Sequence, residues 1–140
     1  MTAGRVDLAV VDSSVAYKWL NPIGESSVDA ALDLLERHRL GRLILAAPVH
    51  LPSEVVNGLF YSRLDEEGLR LGIEGICAAE LALFPLTAGL LLSATDIART
   101  HRLTIHDALF AALAVQLECE LVTADRAQAR VTECPVRLLR

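Results

Sequence analysis

The chain has 140 residues, enough for a domain with a hydrophobic core, and we expect a single domain over residues 1–140. Hydrophobic residues make up 53% of it, which excludes an intrinsically disordered protein. The formal net charge of −5 lacks the basic field of many nucleic-acid-binding proteins, although overall charge says little about a local groove.

The cysteines and the apolar segments bear on the compartment of the protein. Cys77, Cys119 and Cys134 are odd in number and widely spaced, so we expect buried free thiols in a reducing cytosol. Two Asp residues interrupt the first apolar stretch, which excludes a signal peptide. The richest apolar segment, residues 81–95, is shorter than the roughly 20 residues of a membrane span. We therefore expect a soluble, cytoplasmic protein without a membrane partner.

The first half of the chain alternates strand and helix patterns. A continuous apolar run at residues 8–11 is typical of a strand covered on both faces, and a short helix follows at 13–20. A second helix begins after Ser26-Ser27, a strand is predicted at 43–47, and Pro52 lies in the first turn of a third helix. The side chains expected to face inward from the second and third helices are Val28, Ala31, Leu32, Leu35, Val55, Val56, Leu59 and Phe60.

The second half continues the alternation. The predicted elements are a helix at 69–83, a brief strand at 84–86, helices at 88–101 and 104–119, a strand at 121–124, a short helix at 126–132 and a strand at 136–139. Leu90, Leu91, Leu92, Ile97 and the apolar face of residues 108–117 are expected in the core. Strands that alternate with helices imply right-handed crossovers, so the pattern predicts an α/β fold with a parallel sheet.

Four acidic residues are predicted to meet at one edge of that sheet. Asp12 and Asp125 come directly after apolar strands, while Glu54 and Asp107 fall in the first turns of helices. Because a helix that leads into a parallel strand starts at the carboxyl edge of the sheet, all four carboxylates are expected there. Ligands of open α/β sheets bind at this edge.

Helix capping is the competing interpretation of each acid. Asp12 and Asp125 are good N-caps, Glu54 complements a helix dipole, and Thr104 with Asp107 fits a capping box. For any single acid, capping is the better explanation. Capping does not require that four acids converge, however, and converging carboxylates repel one another unless a cation or protons join them.

The donor atoms indicate which cation fits. Beside the carboxylates, the expected edge offers only hydroxyls and an amide, from Ser13, Ser14, Thr123 and Asn57. An all-oxygen set suits Mg²⁺ or Mn²⁺ rather than zinc or copper. With one or two such ions, phosphodiester hydrolysis is the natural chemistry.

Four ordered motifs carry a family resemblance that covers residues 8–139. They are Val10-Val11-Asp12-Ser13-Ser14-Val15-Ala16-Tyr17-Lys18-Trp19, Glu54-Val55-Val56-Asn57, Ile105-His106-Asp107-Ala108-Leu109 and Leu121-Val122-Thr123-Ala124-Asp125-Arg126. In this order they resemble the PIN-domain family, and most closely the VapC-type ribonuclease toxins of bacterial toxin–antitoxin pairs. No single motif is specific, but the ordered set is.

The resemblance implies a three-layer α/β/α PIN-like fold with a central, mostly parallel sheet of four to five strands. It implies a Mg²⁺- or Mn²⁺-dependent endoribonuclease that is the toxin of a toxin–antitoxin pair. Its partners would be RNA, a cognate small antitoxin and a second copy of the chain in a homodimer. The implied catalytic and metal-binding residues are Asp12, Glu54, Asp107 and Asp125, supported by Ser14, Asn57 and Thr123.

Some charged residues near these motifs have two interpretations. Lys18 and Arg126 are candidates for neutralising RNA phosphates, and solvated surface charge is the alternative for both. His106 beside Asp107 is a candidate base or phosphate contact, but an exposed first-turn residue is the simpler interpretation.

Two other classes of function are carried as alternatives. A receiver-like Mg²⁺-binding phosphotransfer domain also gathers acids at this edge, but it needs adjacent acids near the first strand and a Lys late in the chain. Here the only Lys is Lys18. A catalytically inactive protein-interaction module, with the acids as helix caps, is the second alternative.

Overall fold

The computed structural model of this protein describes residues 6–140. Within that range it has five strands, six α-helices and one 3₁₀ helix, Gln128–Arg130. The strands are β1 (Asp7–Val11), β2 (Leu43–Pro48), β3 (Ala82–Phe84), β4 (Glu120–Thr123) and β5 (Val136–Leu138). The α-helices are α1 (Ser13–Leu20), α2 (Val28–Arg39), α3 (Leu51–Phe60), α4 (Glu66–Ala78), α5 (Ala88–His101) and α6 (Ile105–Gln116).

The five strands form one sheet in the order β3-β2-β1-β4-β5, and all four pairings are parallel. Strand β1 lies at the centre, where Val10 pairs with Ala46 of β2 and with Leu121 of β4. The prediction of a parallel sheet of four to five strands is confirmed. Ala9, Val10 and Val11 are completely buried, which explains why β1 is a continuous apolar run.

Helices cover both faces of the sheet. The chain runs outward from β1 to β2 and β3 through α1 to α4, and then returns across the sheet to β4 through α5 and α6. Right-handed crossovers in opposite directions place these two sets of helices on opposite faces. Helix α6 lies between α5 and strands β1, β2 and β4, and every residue from Ala108 to Ala114 is buried. The result is the predicted three-layer α/β/α arrangement.

The strand order creates a crevice between β1 and β4. The chain leaves β1 toward one side of the sheet and reaches the other side through β4, so the strand order reverses between these two neighbours. In open α/β sheets, the carboxyl ends of strands at such a reversal leave an open cleft. Asp12 follows β1 and Asp125 comes two residues after β4, so both lie at this cleft.

The structure corrects the predicted boundaries around the third strand. Helix α4 begins earlier than predicted because Asp65 caps it by accepting a hydrogen bond from Gly68 N at 2.8 Å. The helix ends at Ala78, and Glu80 takes a left-handed conformation with φ of 52°. Ala82 then pairs with Ala46 of β2, so β3 covers residues 82–84 rather than 84–86. An apolar run such as 81–83 fits either element, and only pairing with β2 decides between them.

Several side chains predicted to be buried are exposed. Leu32, Phe60 and Leu92 are 42%, 62% and 68% exposed, and Leu91 is also on the surface. Each lies beside buried positions on its helix, where an apolar stripe identifies the buried face only approximately. The short helix predicted at 126–132 is also wrong in kind, because only the 3₁₀ turn Gln128–Arg130 forms.

The cysteines agree with the prediction only in part. All three are free thiols, but Cys77 is exposed while Cys119 and Cys134 are half-buried. Between residues 6 and 140, no helix has both the length and the apolar character needed to cross a membrane.

Candidate active site

Asp12 is the most enclosed acid of the cleft. It directly follows β1 and caps α1, where its Oδ1 accepts a hydrogen bond from Val15 N at 3.3 Å. Ser14 Oγ donates to the same oxygen at 2.5 Å, and Thr123 Oγ donates to Oδ2. The residue is only 3% exposed. The capping interpretation of Asp12 is therefore correct, but capping uses only part of its bonding, because two further hydroxyls hold both oxygens.

The two hydroxyls tie Asp12 to the segment that carries Asp125. Ser14 Oγ accepts from Ala124 N at 2.9 Å, and Thr123 Oγ accepts from Asp125 N at 3.0 Å. Asp125 in turn accepts from Ala127 N at 2.8 Å through its Oδ1, which caps the following turn. Each hydroxyl thus accepts from one backbone amide and donates to Asp12. This network fixes the end of β1 against the end of β4.

Glu54 approaches the same edge from helix α3. Ser13 Oγ donates to Glu54 Oε1 at 2.6 Å, which links α3 to the first residue of α1. His50 Nε2 lies 3.6 Å from the same carboxylate oxygen. The sequence interpretation missed His50. Its spacing of four residues from Glu54, which puts both on one helix face, was the signal that could have identified it.

Asp107 completes the group from the first turn of α6. Thr104 caps this helix by accepting from Asp107 N at 3.1 Å. Burial raises the pKa of the Asp107 carboxyl, and the charges of Glu54 and Asp125 raise it further. Asp107 therefore lies within electrostatic reach of both acids, while Asp12 is also affected by Asp125. The four acids come from four separate elements and share one electrostatic neighbourhood.

Burial is the largest influence on the pKa of Asp12. Loss of hydration raises the pKa of its carboxyl from the ordinary value of 3.8 to about 6. The hydrogen bonds from Ser14, Thr123 and Val15 act in the opposite direction, and the charge of Asp125 adds to the rise. At neutral pH, the folded chain therefore holds a costly buried anion that a cation would stabilise.

The donor chemistry fits a hard divalent cation. The four acids and the hydroxyls around them offer only oxygen atoms, and Asp12 carries the raised pKa of a carboxylate without a counter-charge. Within residues 6–140, no group of three or more His, Cys, Asp or Glu side chains is placed to hold a metal ion. Mg²⁺ is commonly held by one or two protein carboxylates and keeps several waters, so three protein ligands are not required.

Asn57 and Arg126 line two pockets that border the acidic residues. Asn57 is exposed and lines a pocket of about 350 Å³ with His50, Ser53, Glu54 and His106. Arg126 is exposed and lines a second groove that also includes Arg140, on the side of the cleft formed by β5.

Lys18 is buried and already paired. It is only 5% exposed, and its Nζ donates to Glu25 Oε1 at 3.0 Å and to the carbonyl of Ser26 at 2.7 Å. The expectation of a solvated surface charge at Lys18 is therefore wrong. Because the ammonium is already paired, it is not available to RNA in this conformation. The side chain of a lysine in a short helix can point into the protein or into solvent. Only the position of Glu25 determined that the side chain of Lys18 is buried.

The raised pKa of Asp12 predicts how stability depends on pH. The pKa of Asp12 is higher in the folded than in the unfolded state. The free energy of unfolding in metal-free buffer should therefore fall as the pH rises from about 4 to about 6. At about 1.4 kcal/mol per pKa unit, Asp12 contributes about 2–3 kcal/mol to this fall. Urea unfolding of the wild type and of Asp12→Asn from pH 4.5 to 7.5 measures it. The variant should lose part of the slope, and an identical slope would contradict the assignment.

Known proteins share the sequence pattern and the fold of this chain. A family model of the PIN domain matches residues 9–133. No curated protein sequence matches as a relative. Among solved structures, VapBC2 of Rickettsia felis, bound to a DNA fragment from its promoter, has 16% identity and a TM-score of 0.67. That match covers 95% of this chain and 99% of the other.

Two further structures have the same fold. PAE2754 of Pyrobaculum aerophilum is 23% identical with a TM-score of 0.65, over 96% of this chain and 92% of its own. VapC20 of Mycobacterium tuberculosis, a Sarcin-Ricin loop cleaving toxin, is 16% identical with a TM-score of 0.64, over 91% and 98%. Since the family model spans most of the chain and the folds agree, this protein belongs to the PIN-domain family.

Proposed function

We propose that this protein is a Mg²⁺- or Mn²⁺-dependent endoribonuclease that hydrolyses RNA phosphodiester bonds, and that residues 1–140 form its single nuclease domain. The observation that carries the proposal is electrostatic coupling at the carboxyl edge of the sheet: the charge of Asp125 raises the pKa of Asp12, and the charges of Glu54 and Asp125 raise the pKa of Asp107. Helix capping accounts for single hydrogen bonds of Asp12 and Asp125, but it does not require these acids to lie within electrostatic reach of one another.

In this proposal, Asp12, Glu54, Asp107 and Asp125 are the metal-binding and catalytic residues, and one or two of them would hold an ion together with waters. A bound divalent ion would supply activation of water and stabilisation of charge on the scissile phosphate. The hydroxyls of Ser14 and Thr123 orient both oxygens of Asp12, and Ser13 orients Glu54.

RNA binding needs positive charge beside the acidic cleft. The groove that contains Arg126 and Arg140 has no acidic residue among those that line it, although the chain as a whole is negative. Guanidinium groups bind phosphate oxygens by paired hydrogen bonds, so we assign one arm of the RNA backbone to this groove. Asn57 lines a separate pocket together with Glu54, and we assign it a supporting contact to the RNA.

We further propose that the nuclease is the toxin of a toxin–antitoxin pair, as VapC20 is a Sarcin-Ricin loop cleaving toxin and the Rickettsia felis structure is a VapBC complex. A structure from Klebsiella pneumoniae with the same fold is also a toxin–antitoxin complex. Because RNA and a small protein antitoxin are its proposed partners, we propose the cytoplasm as the location of this activity. The exposed apolar residues Phe60, Tyr61 and Leu71, at the end of α3 and on the neighbouring α4, support a homodimer or an antitoxin interface.

The alternatives receive less support from the geometry. A receiver-like phosphotransfer domain needs a free Lys near its acids, whereas Lys18 is buried and paired with Glu25. In an inactive interaction module, nothing would stabilise the buried Asp12 carboxylate, whose burial raises its pKa.

Metal-dependent cleavage of RNA is the test of the proposal. Purified protein incubated with structured and single-stranded RNAs should cut them with Mg²⁺ or Mn²⁺, should stop cutting when EDTA is added, and should resume when excess metal is restored. Electrophoresis of end-labelled RNA measures the products. Cleavage that persists in EDTA would contradict the metal mechanism, and no cleavage of any RNA with metal present would contradict the nuclease assignment.

A further inference from the structure

We propose that His50 is a positioning residue that sets the separation of Glu54 and Asp107, by tying the first turn of α3 to the first turn of α6. The importance of that separation rests on the proposed function, because these two acids are proposed metal ligands. The link itself is a property of this chain alone and can be tested without RNA.

The backbone of His50 is fixed to the turn that carries Glu54. The carbonyl of His50 accepts from Glu54 N at 3.2 Å and from Ser53 Oγ at 2.8 Å. The imidazole therefore moves with the first turn of α3. Its Nε2 also lies 3.6 Å from Glu54 Oε1, so the ring stands beside the carboxylate it helps to place.

The ring of His50 is fixed to α6 at its other end. Nε2 bonds to the carbonyl oxygen of His106, the residue directly before Asp107, at 3.0 Å. The ring packs on Phe110 with 4.9 Å between ring centroids, and its side chain is only 10% exposed. Helix α3 packs on α1 and α4, whereas α6 packs on α5 and the sheet. His50 thus spans two helices that have different neighbours.

The bonding state of the ring explains why an imidazole is needed. A carbonyl oxygen can only accept, so Nε2 must carry the proton and donate it to His106. Nδ1 is buried without a hydrogen-bond partner. A buried unpaired polar nitrogen is unfavourable, and a leucine would fill the same space without it. Packing alone therefore does not account for His50, whereas the bond to His106 does.

Loss of this link should weaken metal binding more than folding. Partners that orient metal ligands typically change affinity by about 10- to 100-fold when they are removed. His50→Leu keeps the volume but removes the donor, whereas His50→Gln keeps an amide donor at a similar reach. His38 serves as the matched control, because its ring bonds to the carbonyl of Ala79 and to Leu45 N, away from the four acids.

Isothermal titration with Mn²⁺ and unfolding in metal-free buffer form the experiment. We expect about tenfold weaker Mn²⁺ binding for His50→Leu, near wild-type binding for His50→Gln, and a stability for His50→Leu close to that of wild type. His38→Leu should lower stability without changing Mn²⁺ affinity. Wild-type affinity in His50→Leu, or equal losses in the Leu and Gln variants, would overturn the proposal.

A measurement on the unmodified protein covers the case in which a variant fails to fold or the wild type binds no metal. Long-range ¹H–¹⁵N correlation spectra at pH 8 report which ring nitrogen of His50 carries the proton. A proton on Nε2 that exchanges slowly with solvent supports the link. A proton on Nδ1 together with an unprotonated Nε2 overturns it, because Nε2 could then not donate to His106. Absence of RNA cleavage by a protein that binds Mn²⁺ would contradict the proposed function and leave the role of His50 intact.

Discussion

Asp12→Asn and Asp107→Asn should each reduce RNA cleavage by about a hundredfold or more. Partners that only orient metal ligands already account for about 10- to 100-fold, so a ligand itself should reach at least the upper end of that range. The amide keeps the shape of the side chain but removes the negative charge that attracts a cation. Cleavage rates at saturating Mg²⁺, measured with one RNA for all variants, give the comparison.

Stability separates this catalytic role from a purely structural one. In metal-free buffer at pH 7.5, Asp12→Asn should be as stable as wild type or more stable, because the buried charge of a carboxyl with a pKa of about 6 is removed. Asp12→Ala should instead lose about 0.5–2 kcal/mol, because Val15 N loses its cap. Full activity in both Asn variants would show that Asp12 and Asp107 are structural.

Expression of the wild-type protein alone should arrest the growth of a bacterial host, and co-expression of a small protein encoded next to it should restore growth. An RNA-cutting enzyme damages the cell unless its cleft is blocked. The four carboxylates of the proposed site would form a negative pocket that an Arg or Lys from a partner could neutralise by paired hydrogen bonds. The chain's charge of −5 also speeds its encounter with a basic partner at low salt.

Growth curves of four strains test this result. Wild type alone, wild type with the neighbour, Asp12→Asn alone and an empty vector are compared at matched expression. Arrest by the wild type that both the neighbour and Asp12→Asn relieve supports the toxin assignment. A wild type that is harmless alone and binds no neighbouring gene product would contradict it, and a PIN-type nuclease outside toxin–antitoxin pairs would then be the better description.

Local sequence patterns determined the alternation of strands and helices. They also determined which acids follow strands and which lie in the first turns of helices. Apolar runs that end at Asp12 and near Asp125 mark strand ends, and Thr104 marks the start of a helix. These signals are local because they depend on capping and on burial of both faces of a strand. Since parallel strands share a carboxyl edge, the sequence also determined that both Asp residues lie at that edge.

Only the tertiary structure decided which groups touch. Thr123 bonds to Asp12 across 111 positions of the chain, and His50 bonds to His106 across 56. The assignment of residues 82–84 to β3 likewise depends on pairing with β2, and the burial of Lys18 depends on Glu25. Each outcome is set by the free energy of tertiary contacts, which join distant segments or, for Lys18 and Glu25, a helix and the loop that follows it. Neither apolar periodicity nor capping signals report those contacts, because both describe only neighbours along the chain.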